Sequence, residues 1–373
     1  MPSVGWVSLI DPNAQSASRP ILFGEDVISG ETHVLASREP MGDFLHFDIG
    51  QSTQEVLREE YRGPNQIGTL WRWSHNTPYL ISRLFQPWLK QTVLAGSDRW
   101  PIVDWYSALA DWFSESAGIA AYPWPLHYRC ALMVTHNVGS DWIFRNKEWF
   151  DRICKDERES AARGVWFLSP AKCRSASAIK GIERLRAQGY ELGCYGYNGD
   201  GRLVRRIGSA EFERRWTTIG RFCDRWRIRG FRGEYLGRCQ DLTRRLADRF
   251  DYECSVPTFG LGEGCGTEFP FRTSSILSLP ISLPLDVDVL RGTVDVKSFW
   301  RQQVERARHV ASRGGLIVVS IHLRHSANAK AWPLIAQALE EMTNFRGLWI
   351  TRPCEVFDWW QQQPQAIPSR ALP

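Results

Sequence analysis

The stretch Tyr128–Trp142, YRCALMVTHNVGSDW, is the part of the chain that decides the fold. Its residues 131–135 form a short apolar run, typical of a parallel strand that is covered on both faces. A polar cluster follows at the carboxyl end, where parallel α/β folds keep their functional groups. The pattern therefore predicts a buried strand that ends at a binding or active site.

Strand-like and helix-like segments alternate from Tyr128 to the end of the chain. The predicted strands are Ala131–Thr135, Val165–Leu168, Tyr190–Tyr197, Ile228–Tyr235, Tyr252–Val256, Ile276–Leu283, Leu316–His322 and Leu348–Thr351. Amphipathic helices separate most of them, and the clearest spans Ser209–Trp226 with Ser209 as its N-cap. The alternation predicts an α/β fold with a parallel β/α barrel rather than a sandwich or a helical bundle.

The chain is predicted to contain three segments. Residues 1–122 lack this alternation and are expected to form a small mixed α/β module, with short strands near Ile21–Phe23 and Phe44–Phe47. Helical spacing at residues 78–94 and 103–113 predicts helices that cover the barrel. The barrel is expected over residues 123–365, followed by a tail at 366–373.

Composition gives no indication of a nucleic-acid partner or of a transmembrane segment. The formal charge is only +5 in 373 residues, which does not by itself indicate a nucleic-acid partner. No apolar run is long enough for a membrane span, and no signal peptide is evident, so a cytoplasmic protein without a transmembrane segment is expected. The nine cysteines include no CxxC pair, a pattern that favours reduced, buried thiols.

Basic residues are concentrated in one part of the sequence. Residues 202–249 contain fourteen Arg, no Lys and six acidic residues. These arginines either form solvated helix faces or face phosphate or carboxylate groups of a partner, which arginine binds in a bidentate manner.

The ends of several predicted strands carry polar motifs that can be read as a series. They are Thr135-His136-Asn137-Val138-Gly139, Tyr195-Gly196-Tyr197-Asn198-Gly199-Asp200-Gly201, Gly230-Phe231-Arg232 and Ile321-His322-Leu323. In order and spacing, over about residues 125–360, this series resembles the polysaccharide deacetylase family, carbohydrate esterases of the NodB-homology type. The corresponding family motifs are THDVD, HGxxHDG, GFR and THP. The resemblance implies a distorted (β/α)7 barrel.

The same resemblance implies a metal site that this chain has lost. In the family, one Asp and two His hold a divalent metal, and another Asp is the general base that activates the bound water. Here the aspartates of THDVD are replaced by Asn137 and Gly139, and the two histidines by Tyr195 and Gly199. Asparagine accepts no proton from water at neutral pH, and glycine offers no ligand atom. No metal ligand is therefore predicted, and no cofactor.

The resemblance also implies roles for individual residues. Arg232 matches the arginine that orients the base, and His322 matches the histidine that protonates the leaving amine; with Asp141 they are the candidate catalytic residues. The candidate substrate-binding residues are His136, Asn137, Tyr195, Tyr197, Asp200, Arg232 and His325. Tyr195 would provide a stacking surface where a metal ligand stood.

Other arrangements remain open from the sequence. A divalent metal such as zinc could be held at a rearranged site drawn from His136, Asp141, Asp200, His322 and His325. Asp286 and Asp288 look like metal ligands, but their position after Pro284 favours loop carboxylates that line the cleft. No GxSxG motif occurs, and a Cys194–His322 dyad across the barrel mouth is conceivable for nucleophilic catalysis, although cysteines within apolar strands are mostly packing residues.

Three functional hypotheses follow. The first is a deacetylase-like protein that has lost its metal and binds an acylated sugar, a nucleotide-sugar or a glycan in cell-surface polysaccharide biosynthesis. The second is an active carbohydrate N-deacetylase or amide hydrolase with a rearranged site, so enzyme activity is left open. The third is a non-catalytic interaction subunit whose Arg-rich face or N-terminal module docks an enzyme partner or an anionic membrane surface.

Overall fold

The computed structural model describes residues 19–25, 32–39, 42–45, 123–125, 127–258, 264–265, 267–273, 275–286 and 295–362. The predicted helices at 78–94 and 103–113 and the tail at 366–373 lie outside these residues. The division of the chain into three segments therefore stays a prediction.

The described part of the N-terminal segment is a small antiparallel sheet. Strand β1 (Arg19–Glu25) pairs with β2 (Thr32–Glu39), and β2 pairs with β3 (Gly42–Leu45). The two apolar stretches predicted as strands overlap β1 and β3. Short strands in this segment are thus confirmed for the residues described.

The main sheet is parallel and curled. Its strands are β4 (Cys130–Val138), β5 (Val165–Leu168), β6 (Glu191–Tyr195), β7 (Gly230–Arg232), β8 (Tyr252–Glu253), β9 (Phe271–Thr273), β10 (Ile276–Ser278), β11 (Leu316–His322) and β12 (Leu348–Ile350). They follow the order β11-β4-β5-β6-β7-β8-β10-β9, and β12 pairs with the first half of β4. Only the β9–β10 pair is antiparallel among these strands. The distorted β/α barrel expected from the sequence is confirmed.

Helices connect the strands and cover the outside of the sheet. They are α1 (Trp142–Arg145), α2 (Lys147–Glu159), α3 (Ala176–Ala187), α4 (Arg202–Arg205), α5 (Ala210–Trp226), α6 (Gln240–Ala247), α7 (Val296–Ser312), α8 (Leu323–Ser326), α9 (Trp332–Thr343) and α10 (Pro353–Gln362), with a 3-10 turn at Glu234–Leu236. Among the described residues, no helix has the length and apolar character needed to cross a membrane.

Helix α5 shows how local sequence sets these elements. The Ser209 hydroxyl accepts a hydrogen bond from the Phe212 N–H (3.2 Å), which confirms the predicted N-cap. The buried residues of α5 include Phe212, Ile219, Cys223 and Trp226, the stripe read from the sequence. The helix ends at Arg227, whose backbone is left-handed (φ 54°).

Side chains of the parallel strands alternate between two cores. Ala131 and Met133 on β4 belong to the core inside the barrel, whereas Leu132 and Val134 face the helix layer. The edge of β11 that does not pair with β4 donates two isolated hydrogen bonds. The Leu316 N–H donates to the Glu268 carbonyl (2.9 Å), and the Val318 N–H donates to the Ser282 hydroxyl (2.9 Å). The barrel is therefore closed by isolated contacts rather than by a continuous ladder.

Several strands are shorter than predicted, for a backbone reason. The predicted strand Tyr190–Tyr197 ends at Tyr195 because Gly196 is left-handed (φ 47°). The predicted strand Ile228–Tyr235 is reduced to β7, since Tyr235 (φ 54°) and Leu236 (φ 54°) turn the chain away. Both turns bring loop residues over the carboxyl ends of the strands.

Candidate functional site

Three predicted residues meet at the carboxyl end of the barrel. Asn137 lies near the end of β4, Arg232 ends β7 and His322 ends β11, and all three lie on the inner face of the sheet. The Arg232 guanidinium donates to the Asn137 side-chain oxygen at 3.0 Å, and the Asn137 side-chain nitrogen lies 3.0 Å from His322 Nε2. The structure thus joins residues that are far apart in the sequence.

Arg232 is fully buried and forms the floor of this site. Its Nη1 also donates to the Thr135 hydroxyl (2.8 Å) and the Ser320 hydroxyl (3.2 Å). Its Nε donates to the Cys254 carbonyl (2.8 Å), and the guanidinium lies 4.4 Å from the centre of the Phe167 ring. Among the described residues, the acceptors of Arg232 are hydroxyl, amide, carbonyl and thiol groups. This cation therefore has no carboxylate partner there.

His322 is held by Asp286, which lies in the loop before α7. His322 Nδ1 is 2.5 Å from one Asp286 carboxylate oxygen, and the other oxygen accepts from the His322 backbone N–H (2.7 Å) and from the Ser326 hydroxyl. Burial alone would raise the pKa of Asp286, but the His322 ring and these hydrogen bonds outweigh it and hold the pKa below its usual value. Asp286 is therefore a carboxylate at neutral pH.

These contacts define the hydrogen-bonding state of Asn137 and His322. Because Arg232 can only donate, the Asn137 atom that faces it is the oxygen, and the amide nitrogen faces Ser320 and His322. Since Asn137 donates to His322 Nε2, that nitrogen accepts, and Nδ1 carries the proton that Asp286 accepts. Both amide atoms of Asn137 are thereby used within the protein.

The residues at the positions that the family resemblance gives to the metal ligands and the base do not fit a divalent ion. Asn137 is neutral and engaged, and Gly139 and Gly199 offer no side-chain ligand. Burial and the nearby Glu234 raise the pKa of Tyr195, so its phenol stays protonated. In the part of the chain that the structure describes, no group of at least three His, Cys, Asp or Glu side chains could hold a metal ion.

Comparison with solved structures shows which fold this is. A protein described as a polysaccharide deacetylase from Mycobacterium smegmatis matches with a TM-score of 0.53 and 15% identity, covering 67% of this chain and 97% of that one. One so described from Pseudomonas aeruginosa matches with a TM-score of 0.52, 14% identity and the same coverages, 67% and 97%. The barrel has the polysaccharide deacetylase fold.

The same fold also occurs in a protein named for another activity. The Puue allantoinase matches with a TM-score of 0.51 and 14% identity, covering 65% of this chain and 93% of that one. No family profile matches the sequence, and no curated protein matches it. At these identities the likeness establishes the polysaccharide deacetylase fold, while the site has to be argued from its own residues.

His136 is not part of the mouth of this polysaccharide deacetylase fold, although the sequence analysis placed it there. Its side chain is fully buried among the helices, bonded to Glu157 of α2 and 4.9 Å from the Trp166 ring centre. The physical reason is alternation: Thr135 and Asn137 face the barrel interior, so the residue between them faces outward. The predicted ligand contact by His136, and its place in a rearranged metal site, are therefore wrong.

Three other predicted residues lie apart from the network. Asp141 pairs with Arg145 of α1 (2.8 Å), and Asp200 accepts both guanidinium nitrogens of the buried Arg215 (2.8 Å each). His325 is exposed on the short helix α8. Although the side chain as a whole is exposed, partial desolvation of its ring, followed by the neighbouring His322, lowers the pKa of His325. The carboxylates proposed for a rearranged metal site are thus already paired with arginines.

The Cys194–His322 dyad is also wrong. Cys194 faces the helix layer, where its thiol lies 3.5 Å from the Gly196 carbonyl, whereas His322 faces the barrel interior. Burial, followed by the neighbouring Cys223, raises the pKa of the Cys194 thiol well above its usual value. Cys194 is a packing residue.

Sequence reasoning missed two residues of the site and underrated a third. Ser320 lies two positions before His322 on the same strand face, a spacing that points it at the mouth. Glu234 lies two residues after the Gly-Phe-Arg motif and beneath the loop after β6. Asp286 was expected only to line the cleft, and its hydrogen bonds to His322 bridge 36 positions of sequence. Asp288 lies outside the described residues.

The arginine-rich segment is largely neutralised by neighbouring acids. Arg245 pairs with Glu213 and Arg249 with Asp224, in addition to the Arg215–Asp200 pair. Exposed arginines at 214, 221 and 225 on α5 have no carboxylate within 4.0 Å among the described residues. This pattern favours a solvated helix face over a surface built for an anionic partner.

Proposed function

We propose that this protein binds an acylated sugar or glycan at the barrel mouth and no longer carries out metal-dependent deacetylation. The observation that supports this most is the state of Asn137. The residue at the position of the family's general base is an amide, and its two polar atoms are used by Arg232 and His322. A mouth of neutral and hydrogen-bonding groups suits sugar hydroxyl and acetamide groups. The fold likeness supports a setting in cell-surface polysaccharide biosynthesis.

Elemental analysis tests the loss of the metal reaction. We expect zinc, nickel and cobalt to be well below one equivalent per chain in protein purified without chelator. Incubation with excess zinc followed by desalting should leave the protein equally metal-free, because the positions of Gly139 and Gly199 offer no ligand atom. Retention of one equivalent of metal through desalting would contradict the proposal.

Calorimetric titration with N-acetylglucosamine oligomers tests the binding. We expect wild-type protein to bind an oligomer, and His322→Ala to lose at least about tenfold in affinity through the loss of one charge-assisted or buried polar contact. The matched control is His309→Ala, because His309 is an exposed histidine on α7 and far from the mouth in the fold. Equal affinity in both variants, or no binding by wild type, would count against this function.

A second candidate is a hydrolase that works without metal, and one specific observation favours it. The Asp286 carboxylate accepts from Nδ1 of His322, so the unprotonated nitrogen is Nε2, whose lone pair accepts from Asn137 and would be available to a substrate only if a ligand displaced that amide. A histidine oriented in this way by a buried carboxylate has the arrangement of a general base. Of the residues first considered for such a reaction, only Arg232 and His322 belong to this network.

Product analysis distinguishes the two candidates. Incubation with N-acetylated sugars and small amides should release acetate or amine only if the second candidate is correct. In that case His322→Ala and Asp286→Asn should both abolish turnover while the circular dichroism of the folded protein is retained. No product from wild-type protein across the substrate panel would leave the binding function as the better account.

A further inference from the structure

Glu234 lies under the loop that leads away from the mouth. The loop Gly196–Gly201 follows Tyr195 directly, and the Gly196 N–H donates to the Arg232 carbonyl (2.9 Å). Glu234 comes two residues after Arg232, on the 3-10 turn that follows β7. The two segments therefore start from neighbouring strands and meet above the site.

The Glu234 carboxylate accepts three backbone hydrogen bonds from this loop. One oxygen accepts from the N–H groups of Tyr197 (2.6 Å) and Gly199 (2.6 Å), and the other from Gly201 (2.7 Å). Alternate N–H groups that converge on one point form a backbone nest, which is an anion-binding arrangement. Here the anion is supplied by the protein itself.

Glycine suits the backbone of this arrangement at three positions. Gly196, Gly199 and Gly201 have φ angles of 47°, 80° and 60°, a region that favours glycine. A Cβ atom on Gly196 would also lie 2.2 Å from Cγ of Glu234, so no other residue allows the carboxylate to approach. The loop sequence and Glu234 are therefore matched to each other.

Tyr235, the residue after Glu234, also binds the loop Gly196–Gly201. The Tyr235 hydroxyl donates to the Gly199 carbonyl at 2.9 Å, while the Gly199 N–H donates to Glu234. Gly199 is therefore held through both its backbone N–H and its carbonyl. Tyr235 adopts a left-handed backbone (φ 54°), which L side chains rarely adopt. Burial raises the pKa of Glu234, and the three N–H donors only partly oppose this. All three hydrogen-bond partners of the carboxylate are N–H donors, so the geometry favours the charged form of Glu234.

We propose that Glu234 is a positioning residue of the mouth, an internal anion that fixes the loop Gly196–Gly201 in the form in which Tyr195, at its start, meets a ligand. The Tyr197 ring, predicted to bind substrate, instead packs against the helix layer, 4.9 Å from the Arg215 guanidinium. The part of this inference that concerns the ligand rests on the proposed function. The part that concerns the loop does not, because the three hydrogen bonds can be followed without any ligand.

Hydrogen exchange of the full-length protein tests the loop. In Glu234→Ala we expect the amides of Tyr197, Gly199 and Gly201 to exchange at least about tenfold faster, the factor that one hydrogen bond to a charged group represents. Glu234→Gln should protect more than Glu234→Ala, since its remaining oxygen still accepts while its NH₂ opposes one donor. The control is Glu213→Ala, which removes an exposed carboxylate paired with Arg245. Unchanged loop exchange in Glu234→Ala would overturn the proposal.

Rescue by a small anion tests whether the nest needs a charge. Sodium acetate should restore loop protection in Glu234→Ala, because the truncated side chain leaves space for a carboxylate, whereas sodium chloride at the same ionic strength should restore less. Acetate should also restore affinity for the N-acetylglucosamine oligomer in this variant and leave Glu213→Ala unchanged. Equal effects of the two salts on loop protection would show that Glu234 does not act as an anion there. If wild type binds no oligomer, the proposed function fails while the exchange result still decides the role of Glu234.

Discussion

Arg232 is the residue whose environment departs furthest from ordinary protein chemistry. It is fully buried, and none of its acceptors among the described residues is a carboxylate. An unpaired buried charge costs free energy, which hydrogen bonds to neutral groups reduce only in part. The position where a counter-charge would fit is occupied by the Asn137 amide.

Asn137→Asp should therefore stabilise the protein. The new carboxylate would pair with Arg232, and we expect the free energy of unfolding to rise by about 1–3 kcal/mol at neutral pH. Urea denaturation measures this change. The matched control is Asn344→Asp at an exposed position, which removes the hydrogen bond from the Asn344 side-chain nitrogen to the Glu340 carbonyl (2.9 Å) and should give no gain. A less stable Asn137→Asp variant would mean that the site tolerates Arg232 without a counter-charge.

Asp286 makes part of the stability depend on pH. Its pKa in the folded protein is below the usual value, so its contribution is complete above the unfolded pKa of about 4 and is lost as the pH falls through the lower folded pKa. Asp286→Asn should cost about 3 kcal/mol at pH 7, because an amide opposes the N–H and O–H donors of His322 and Ser326.

Urea denaturation from neutral to acidic pH tests this dependence. The difference between wild type and Asp286→Asn should stay constant down to about pH 4 and narrow below it. A difference that stays the same at every pH would show that the charge of Asp286 is not what stabilises the fold.

Elements of this protein are set mainly by short-range patterns. The apolar spacing of α5 and its N-cap are visible in the sequence and are present in the structure. The strands β5 and β11 have the predicted bounds, while other strands end earlier where left-handed residues turn the chain. Such turns depend on contacts with distant segments, as at Gly196 and Glu234, and local sequence patterns do not show them.

The cap of α5 provides a test at this scale. Ser209→Ala removes the acceptor for the Phe212 N–H and should lower the free energy of unfolding by about 1 kcal/mol. Ser209→Asp should keep the stability, because aspartate also caps helices. Urea denaturation of the two variants makes the comparison, and equal stability of Ser209→Ala and wild type would mean that the cap contributes nothing.

At the scale of the whole molecule, the polysaccharide deacetylase fold carries Asn137, Gly139, Tyr195 and Gly199 at the positions where the family resemblance implies metal and base residues. Space for the missing side chains remains. A Cβ on Gly139 would come no closer than 3.8 Å to the Tyr195 ring, and a Cβ on Gly199 would meet nothing within 4 Å. The left-handed backbone of Gly199 (φ 80°) would strain a larger residue by about 1–2 kcal/mol.

Restoring the family residues should therefore restore metal binding. We expect the variant Asn137→Asp, Gly139→Asp, Tyr195→His and Gly199→His to retain about one equivalent of zinc through desalting, measured by elemental analysis. The control carries the same changes without Gly139→Asp and should retain less, because it lacks one ligand. Equal retention by the two variants, or none by either, would show that the barrel no longer has the metal-binding geometry.

The sequence by itself determined the parallel β/α barrel and brought Asn137, Arg232 and His322 to one end of it, because strand periodicity and helix amphipathicity are local properties. Only the tertiary structure decided the hydrogen-bond partners of these site residues. The Arg232–Asn137 contact spans 95 positions, and Asp286 reaches His322 from a loop outside any strand pattern. The alternation of side chains along β4 predicts that His136 faces outward. Its partner Glu157 depends on how α2 packs on the sheet, which the local sequence does not show. Non-local hydrogen bonds depend on how elements pack, and packing is a property of the whole chain.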